Sequence, residues 1–116
     1  MNIEDFRNYC LSKKGVTEGF PFDETTLVFK VGEKVFTITN IEMFESINVK
    51  CDPELAIELR ERYTSVLPGY HMNKKHWNTI VVNSDMDDSE VKKWVDHSYQ
   101  LVFDKLPKKI KDVLVD

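Results

Sequence analysis

Two short runs of alternating apolar and polar residues, separated by only two residues, constrain the fold of this chain most strongly. The runs cover residues 26–31 and 34–39, and Gly32 and Glu33 lie between them. A Gly-X pair between two alternating runs is typical of a tight β-hairpin. The sequence therefore predicts an antiparallel strand pair with one apolar face and one mixed face.

A two-residue loop also fixes which residues of the hairpin lie opposite each other. The predicted cross-strand pairs are Val31 with Lys34, Phe29 with Phe36, and Leu27 with Ile38. This register gives a buried face of Leu27, Phe29, Phe36 and Ile38, and an opposite face of Val28, Lys30, Val35, Thr37 and Thr39.

The periodicity of the remaining chain predicts further strands and helices. Helices are expected over residues 3–13, from Asp52-Pro53 onward, over about 88–106, and briefly over 108–114. Strands are expected over residues 47–51 and 77–83. In the strand 47–51, the alternation turns Ile47, Val49 and Cys51 inward and Asn48 and Lys50 outward. The fold class is α+β, with an antiparallel sheet and helices packed on one face.

Size and charge limit the classes of function. The 116 residues fit one domain, residues 1–116, and the formal net charge is −4 with a pI of about 5.4. The overall field therefore does not attract nucleic acid or an anionic membrane, so any anion must be bound by a local patch. With no apolar run long enough to cross a bilayer, we expect a cytoplasmic monomer.

The sequence carries little sign of a metal site or of catalysis. Cys10 and Cys51 lie far apart at apolar positions, which indicates reduced, buried thiols. His71, His76 and His97 could be grouped with the acidic residues near position 87, but their spacing matches no metal-binding motif. Glycine-rich phosphate loops and nucleophile motifs are also missing. We therefore expect no metal, no cofactor and no enzymatic activity.

Residues 68–79 differ in composition from the rest of this acidic chain. The segment contains two lysines, two histidines, two asparagines and two large aromatic residues, and no carboxylate. Lysine and asparagine can donate hydrogen bonds to phosphates or base edges, and an aromatic ring can stack on a base. A turn whose aromatic residues pack into the core would give the same composition. We expect Trp77 to be buried and Asn73, Lys74 and Lys75 to form an exposed turn.

Several local patterns together resemble the MmcQ/YjbR family of small bacterial proteins. The matching segments are Gly19-Phe20-Pro21-Phe22-Asp23, Val28-Phe29-Lys30-Val31 with Lys34-Val35-Phe36, Asn48-Val49-Lys50-Cys51-Asp52-Pro53-Glu54, the whole of residues 68–79, and Ser98-Tyr99-Gln100-Leu101-Val102. The resemblance extends almost from end to end. It implies a CyaY-like, double-wing α+β fold, and the family is usually described as DNA-binding.

These observations lead to one principal functional hypothesis and one alternative. The first is a non-enzymatic nucleic-acid-binding domain whose binding is weak and salt-sensitive. Its expected contacts are Lys74 and Lys75 with phosphate, further hydrogen bonds from Asn73, His71 and His76, and an extension of the patch by Lys30 and Lys50. The alternative is a module that binds a protein or a small anion with the same segment, because the acidic surface repels a compact anion less than a long duplex.

Overall fold

Two groups of antiparallel strands are separated by a helix along the chain, and all the described strands join one sheet. The computed structural model describes residues 1–115. Its helices are α1 (Ile3–Leu11), α2 (Pro53–Arg62), α3 (Asp88–Asp104) and α4 (Lys108–Leu114), and its strands are β1 (Val16–Gly19), β2 (Thr26–Val31), β3 (Lys34–Asn40), β4 (Ser46–Lys50), β5 (Val66–Pro68) and β6 (Trp77–Val81). The strand order is β1-β2-β3-β4-β6-β5, with antiparallel neighbours throughout. The predicted α+β class and antiparallel sheet are confirmed.

Three helices begin at side chains that accept hydrogen bonds from free backbone N–H groups. Asn2 accepts from the N–H of Asp5 at 2.8 Å, and Asp87 accepts from the N–H of Glu90 at 2.9 Å. Asp52 caps α2 in the same way, and a proline occupies the first position of that helix. These caps agree with the predicted helix starts, because each satisfies N–H groups that have no partner within the helix.

The hydrophobic core lies between the helices and one face of the sheet, here called the inner face. The ring of Phe6 in α1 packs edge-on against Phe29, with centroids 5.8 Å apart, and Phe36 packs in the same manner against Tyr99 of α3 at 5.4 Å. Helix α2 contributes Ala56 and Leu59. The opposite side of the sheet is called the outer face.

A β-bulge in β3 changes the predicted hairpin register. Val31 pairs with Lys34 as expected, but the pairing shifts at Phe36, so that Phe29 lies opposite Thr37 and Val28 lies opposite Ile38. The predicted pairs of Phe29 with Phe36 and of Leu27 with Ile38 are therefore wrong. A bulge places one extra residue in one strand, which a sequence pattern with period two does not reveal.

The shift reverses the facing of the residues that follow the bulge. Thr37 and Thr39 were expected to lie on the outer face, yet both are buried, and they pair with Val49 and Ile47 of the core. Ile38, expected in the core, lies on the outer face. The inward hydroxyl groups are satisfied because Thr37 donates to the carbonyl of Asn48 at 2.8 Å and Thr39 to that of Ser46 at 2.9 Å.

Ser98 of α3 joins β3 and β4 where their direct pairing ends. The last pair of that ladder is Thr37 with Val49. Beyond it, the hydroxyl of Ser98 donates to the carbonyl of Phe36 at 2.5 Å and accepts from the N–H of Lys50 at 2.8 Å. A buried side chain thus replaces a missing ladder hydrogen bond.

Two edge strands were missed from the sequence. Both β1 and β5 are short, of four and three residues, and neither has an alternating apolar pattern. Short strands at sheet edges receive hydrogen bonds on one side only, so their sequences need little apolar character.

The cysteine prediction agrees with the structure. Cys10 and Cys51 are buried free thiols, and burial raises the pKa of each to about 12. Such thiols are poor nucleophiles at neutral pH.

Ser98→Ala should lower the free energy of unfolding by about 1–3 kcal/mol, because it leaves a buried carbonyl and a buried N–H without a partner. Urea denaturation measures the change, and hydrogen exchange should show faster exchange of the Lys50 amide. Ser84→Ala, at an exposed loop position, is the matched control and should change stability by less than about 0.5 kcal/mol. Equal stability of the two variants would contradict the bridging role of Ser98.

Candidate anion-binding surface

Strand pairing places lysine and tryptophan side by side at one end of the outer face. Lys50, near the end of β4, is the direct cross-strand partner of Trp77 at the start of β6. Lys30 of β2 pairs with Val35 of β3. Measured along the strand direction, Lys30 lies at nearly the same position as Lys50. The loop of residues 69–76 enters β6 at the same end. This end of the outer face, formed by Lys30, Lys50, Trp77 and residues 69–76, is called the lysine end.

Exposed aromatic residues flank this face on both sides. Phe22 is 72% exposed and Phe20 is 47% exposed in the loop after β1, and Tyr70, after β5, is 68% exposed. Phe20 lines a cavity of about 340 Å³ together with Val28 and Lys30 of the outer face. Aromatic rings therefore stand at both edges of the lysine-bearing surface.

The loop that carries Phe20 and Phe22 is anchored by Asp23. Its carboxylate accepts from the N–H groups of Thr25 at 2.9 Å and Thr26 at 2.7 Å. These hydrogen bonds favour the ionised form and lower the pKa of Asp23. The anchoring fixes the start of β2 relative to the two phenylalanines.

Asn73 stabilises the 69–76 loop from within. Its side-chain oxygen accepts from the N–H of Lys75 at 2.9 Å and from that of His76 at 3.3 Å. Gly69 closes the loop by donating to the carbonyl of Trp77 at 2.9 Å, and a Cβ there would lie 2.7 Å from the Cβ of Trp77. The turn thus needs Asn73 and Gly69 for its own geometry, so Asn73 has less capacity for a ligand than the sequence indicated.

The two adjacent lysines differ in their surroundings. The ammonium group of Lys74 donates to the carbonyl of Gly69 at 3.0 Å, and Arg60 of α2 donates to the carbonyl of Lys74 at 3.2 Å. Lys75 is exposed. The predicted exposed turn at residues 73–75 is confirmed, but Lys74 is tied into the loop and is not the free cation that was expected.

Neither histidine of the segment lies directly on the sheet. His71 has a positive φ of 58°, and its ring lies 4.0 Å from that of Tyr70, so the two rings form one exposed aromatic unit. His76 is half-buried, and its carbonyl accepts from the N–H of Cys51 at 2.8 Å. His76 therefore connects β4 to the loop mainly through its backbone.

The prediction that Trp77 is buried in the core is wrong. Trp77 is half-buried and pairs with Lys50 on the outer face, whereas the following residue, Asn78, is fully buried on the inner face. Since side chains alternate along a strand, only one of the two neighbours can reach the core. Asn78 occupies that place, where its amide donates to the carbonyl of Ala56 in α2 at 3.3 Å and its side-chain oxygen has no hydrogen-bond partner within residues 1–115.

Three lysines of the lysine end form no ion pair within residues 1–115, and Glu18 and Glu33 line the cavity at Lys30. Within residues 1–115, Lys30, Lys50 and Lys75 have no carboxylate oxygen within 4.0 Å. Burial lowers the pKa of Lys50, and the nearby Lys105 lowers it further. The end of α3 brings Lys105 next to Lys50.

Among residues 1–115, no group of three His, Cys, Asp or Glu side chains is placed to hold a metal ion. Nε2 of His97 accepts from the N–H of Asp52 at 3.2 Å, and burial lowers the pKa of this imidazole. None of the helices described for residues 1–115 has the length and hydrophobicity needed to cross a bilayer.

Comparison with known proteins establishes the family. The model of the YjbR family matches residues 11–101. The chain belongs to the YjbR family. The resemblance noted from its sequence motifs is therefore confirmed.

Three similar proteins match this chain in sequence or structure over most of their length. The YjbR protein of Escherichia coli K12 is 32% identical over 116 residues, which cover 99% of this chain and 98% of that protein. A crystal structure of a Deinococcus radiodurans protein with a DUF419 domain is 35% identical, with a TM-score of 0.92, and the match covers 98% of this chain and 88% of that chain. A Pseudomonas syringae protein is 26% identical with a TM-score of 0.75, over 88% of this chain and 99% of that chain.

Lys74→Met and Lys75→Met should separate the structural lysine from the exposed one. Lys74→Met removes a hydrogen bond to the Gly69 carbonyl and should lower the free energy of unfolding by roughly 0.5–1.5 kcal/mol. Lys75→Met, one residue away with the same change of charge, should stay within about 0.5 kcal/mol of the unchanged protein. Urea denaturation tests this, and equal effects of the two substitutions would refute the assignment.

Proposed function

We propose that this protein is a non-enzymatic, cytoplasmic, monomeric nucleic-acid-binding domain that holds a single strand across the lysine end of its outer sheet face. The observation that carries the proposal is the cross-strand pairing of Lys50 with Trp77. This pairing places the ammonium group of Lys50, which would contact a phosphate, directly beside the ring of Trp77, which would stack on a base.

The residues around this pair suit a single strand. Lys30 lies close to the level of Lys50 along the sheet, and Lys75 lies two residues before Trp77 in the chain. Single strands bind where cations follow the backbone and aromatic rings stack on the unpaired bases, at about 1–3 kcal/mol per stacked base. Phe20 and Tyr70, on either side of the face, offer further rings.

A duplex suits the surface less well. Its bases are stacked within the helix, so Trp77 could not reach their faces, and binding would depend on phosphate contacts alone. The net charge of −4 opposes the approach of a long, densely charged duplex. The proposal therefore keeps the nucleic-acid hypothesis and narrows the ligand to unpaired nucleotides.

The set of contacts differs from the one expected from the sequence. Lys30, Lys50 and Lys75 remain candidate phosphate contacts, with Trp77 added as a stacking residue. Asn73 and Lys74 instead support the loop, as their intramolecular hydrogen bonds indicate. His71 can contribute through its pairing with the Tyr70 ring.

Fluorescence anisotropy with a labelled oligothymidine and with a duplex of equal length tests the proposal. We expect tighter binding of the single strand, with an affinity that falls as salt rises, by about 0.7 in log–log slope for each phosphate contact. Lys50→Gln/Lys75→Gln should reduce that slope by about 1.4, and Trp77→Leu should weaken binding by about 1–3 kcal/mol.

The matched control is Lys14→Gln/Lys93→Gln, which changes the net charge equally at exposed positions outside the outer sheet face. It should leave the salt slope nearly unchanged. Melting temperatures of all variants should be compared, so that unfolding is not mistaken for lost binding. Absence of binding at low salt, or equal effects of the two double substitutions, would overturn the proposal and favour the protein or small-anion alternative.

A further inference from the structure

A cleft opens where β3 and β4 separate beyond the Ser98 bridge. It has a volume of about 330 Å³ and lies between the β2–β3 hairpin, the end of β4 and the C-terminal end of α3. Compact small-molecule sites in proteins begin at about 300 Å³. The cleft therefore has the size of a site for one small ligand.

Three lysines from three different elements line this cleft. They are Lys34 of β3, Lys50 of β4 and Lys105 at the end of α3, and no carboxylate is among the lining residues. Within residues 1–115, none of the three has a carboxylate oxygen within 4.0 Å. Residues far apart in sequence thus bring three cations together without an ion-pair partner among residues 1–115.

The arrangement carries an electrostatic cost that an anion would relieve. Burial, followed by the positive charge of Lys105, lowers the pKa of Lys50. An anion between the two ammonium groups would offset their mutual repulsion and the partial dehydration of Lys50.

The remaining walls of the cleft are apolar. They are formed by Val35, Val102, Leu106 and Pro107. The hairpin turn is packed closely against this end of α3, since a Cβ on Gly32 would lie 2.6 Å from a methyl group of Leu106. The apolar walls are thus held in place. They suit the organic part of a ligand more than a free inorganic ion with its hydration shell.

We propose that this cleft is a binding site for a small phosphate monoester with an apolar or aromatic organic group. The phosphate dianion contacts Lys34, Lys50 and Lys105, and the organic group packs against the Val102 and Leu106 side. This site is separate from single-strand binding on the outer face, although Lys50 borders both.

Amide chemical-shift titrations of the full chain with three probes test the site. Phenyl phosphate has the proposed dianion and aromatic group, benzenesulfonate has the same ring with a single charge, and inorganic phosphate lacks the ring. We expect phenyl phosphate to bind about two- to fivefold more tightly than either of the other probes. Benzenesulfonate lacks the second negative charge, and inorganic phosphate lacks the ring that contacts the apolar walls. The shifts should centre on residues 34–35, 50 and 102–107.

Lys34→Gln/Lys105→Gln should weaken phenyl phosphate binding about tenfold, whereas Lys109→Gln, on the neighbouring α4, should have little effect. Both positions changed in the double variant are exposed, so its melting temperature should match that of the unchanged protein. Equal affinity for the three probes, shifts centred elsewhere, undetectable binding of phenyl phosphate, or an unaffected double variant would overturn the site. These readouts use no oligonucleotide, so they stand or fall independently of the proposed function.

Discussion

The hydroxyl of Ser98 connects the helical layer to the sheet at the point where β3 and β4 part. The bulge at Phe36 shifts the pairing of β3, and beyond Thr37 the two strands no longer bond to each other directly. Ser98 satisfies a carbonyl of one strand and an N–H of the other, 62 and 48 residues away in sequence. Without that bridge, two buried backbone groups would lack partners, which is costly in a core.

The same junction determines the position of Lys50. Because Lys50 is held at the separation of the strands, it lies beside Trp77 on one side and near Lys105 of α3 on the other. Lys50 and Lys105 therefore lie near each other, and neither forms an ion pair within residues 1–115. In the two proposals, rings and cations of the outer face at this end contact a strand of nucleotides, and three cations and the apolar walls of the cleft contact a small anion.

Much of the fold could be predicted from the sequence, because helix caps and alternating patterns are local signals. Asn2, Asp52 and Asp87 mark helix starts, and the alternation around Val49 correctly places Lys50 outward. The bulge could not be predicted, because the residues of β3 alternate regularly in the sequence and give no sign that Phe36 is an extra residue in the strand pairing. Because of that one residue, Thr37 and Thr39 face the core and Ile38 faces outward.

The candidate site was predicted in part. The exposed turn around Lys75 follows from the cost of burying consecutive polar residues. The role of Lys74 and Asn73 within the loop depends on where Gly69 lies, and the approach of Lys105 to Lys50 depends on how α3 crosses the sheet. Both are tertiary contacts that no local pattern shows. The hydrogen bond of the inward Asn78 amide to the carbonyl of Ala56 in α2 is likewise a tertiary contact.

The central claim, that the lysine end of the outer face is the working surface, is tested most directly by a nuclear magnetic resonance titration of the full chain with oligothymidine. The account predicts that the largest shifts belong to the indole N–H of Trp77 and to the amides of Lys30, Lys50 and residues 69–76. Trp94, a buried residue of α3 that belongs to the core, should shift little. Shifts centred on α1 or α2, with the Trp77 indole unchanged, would contradict the account.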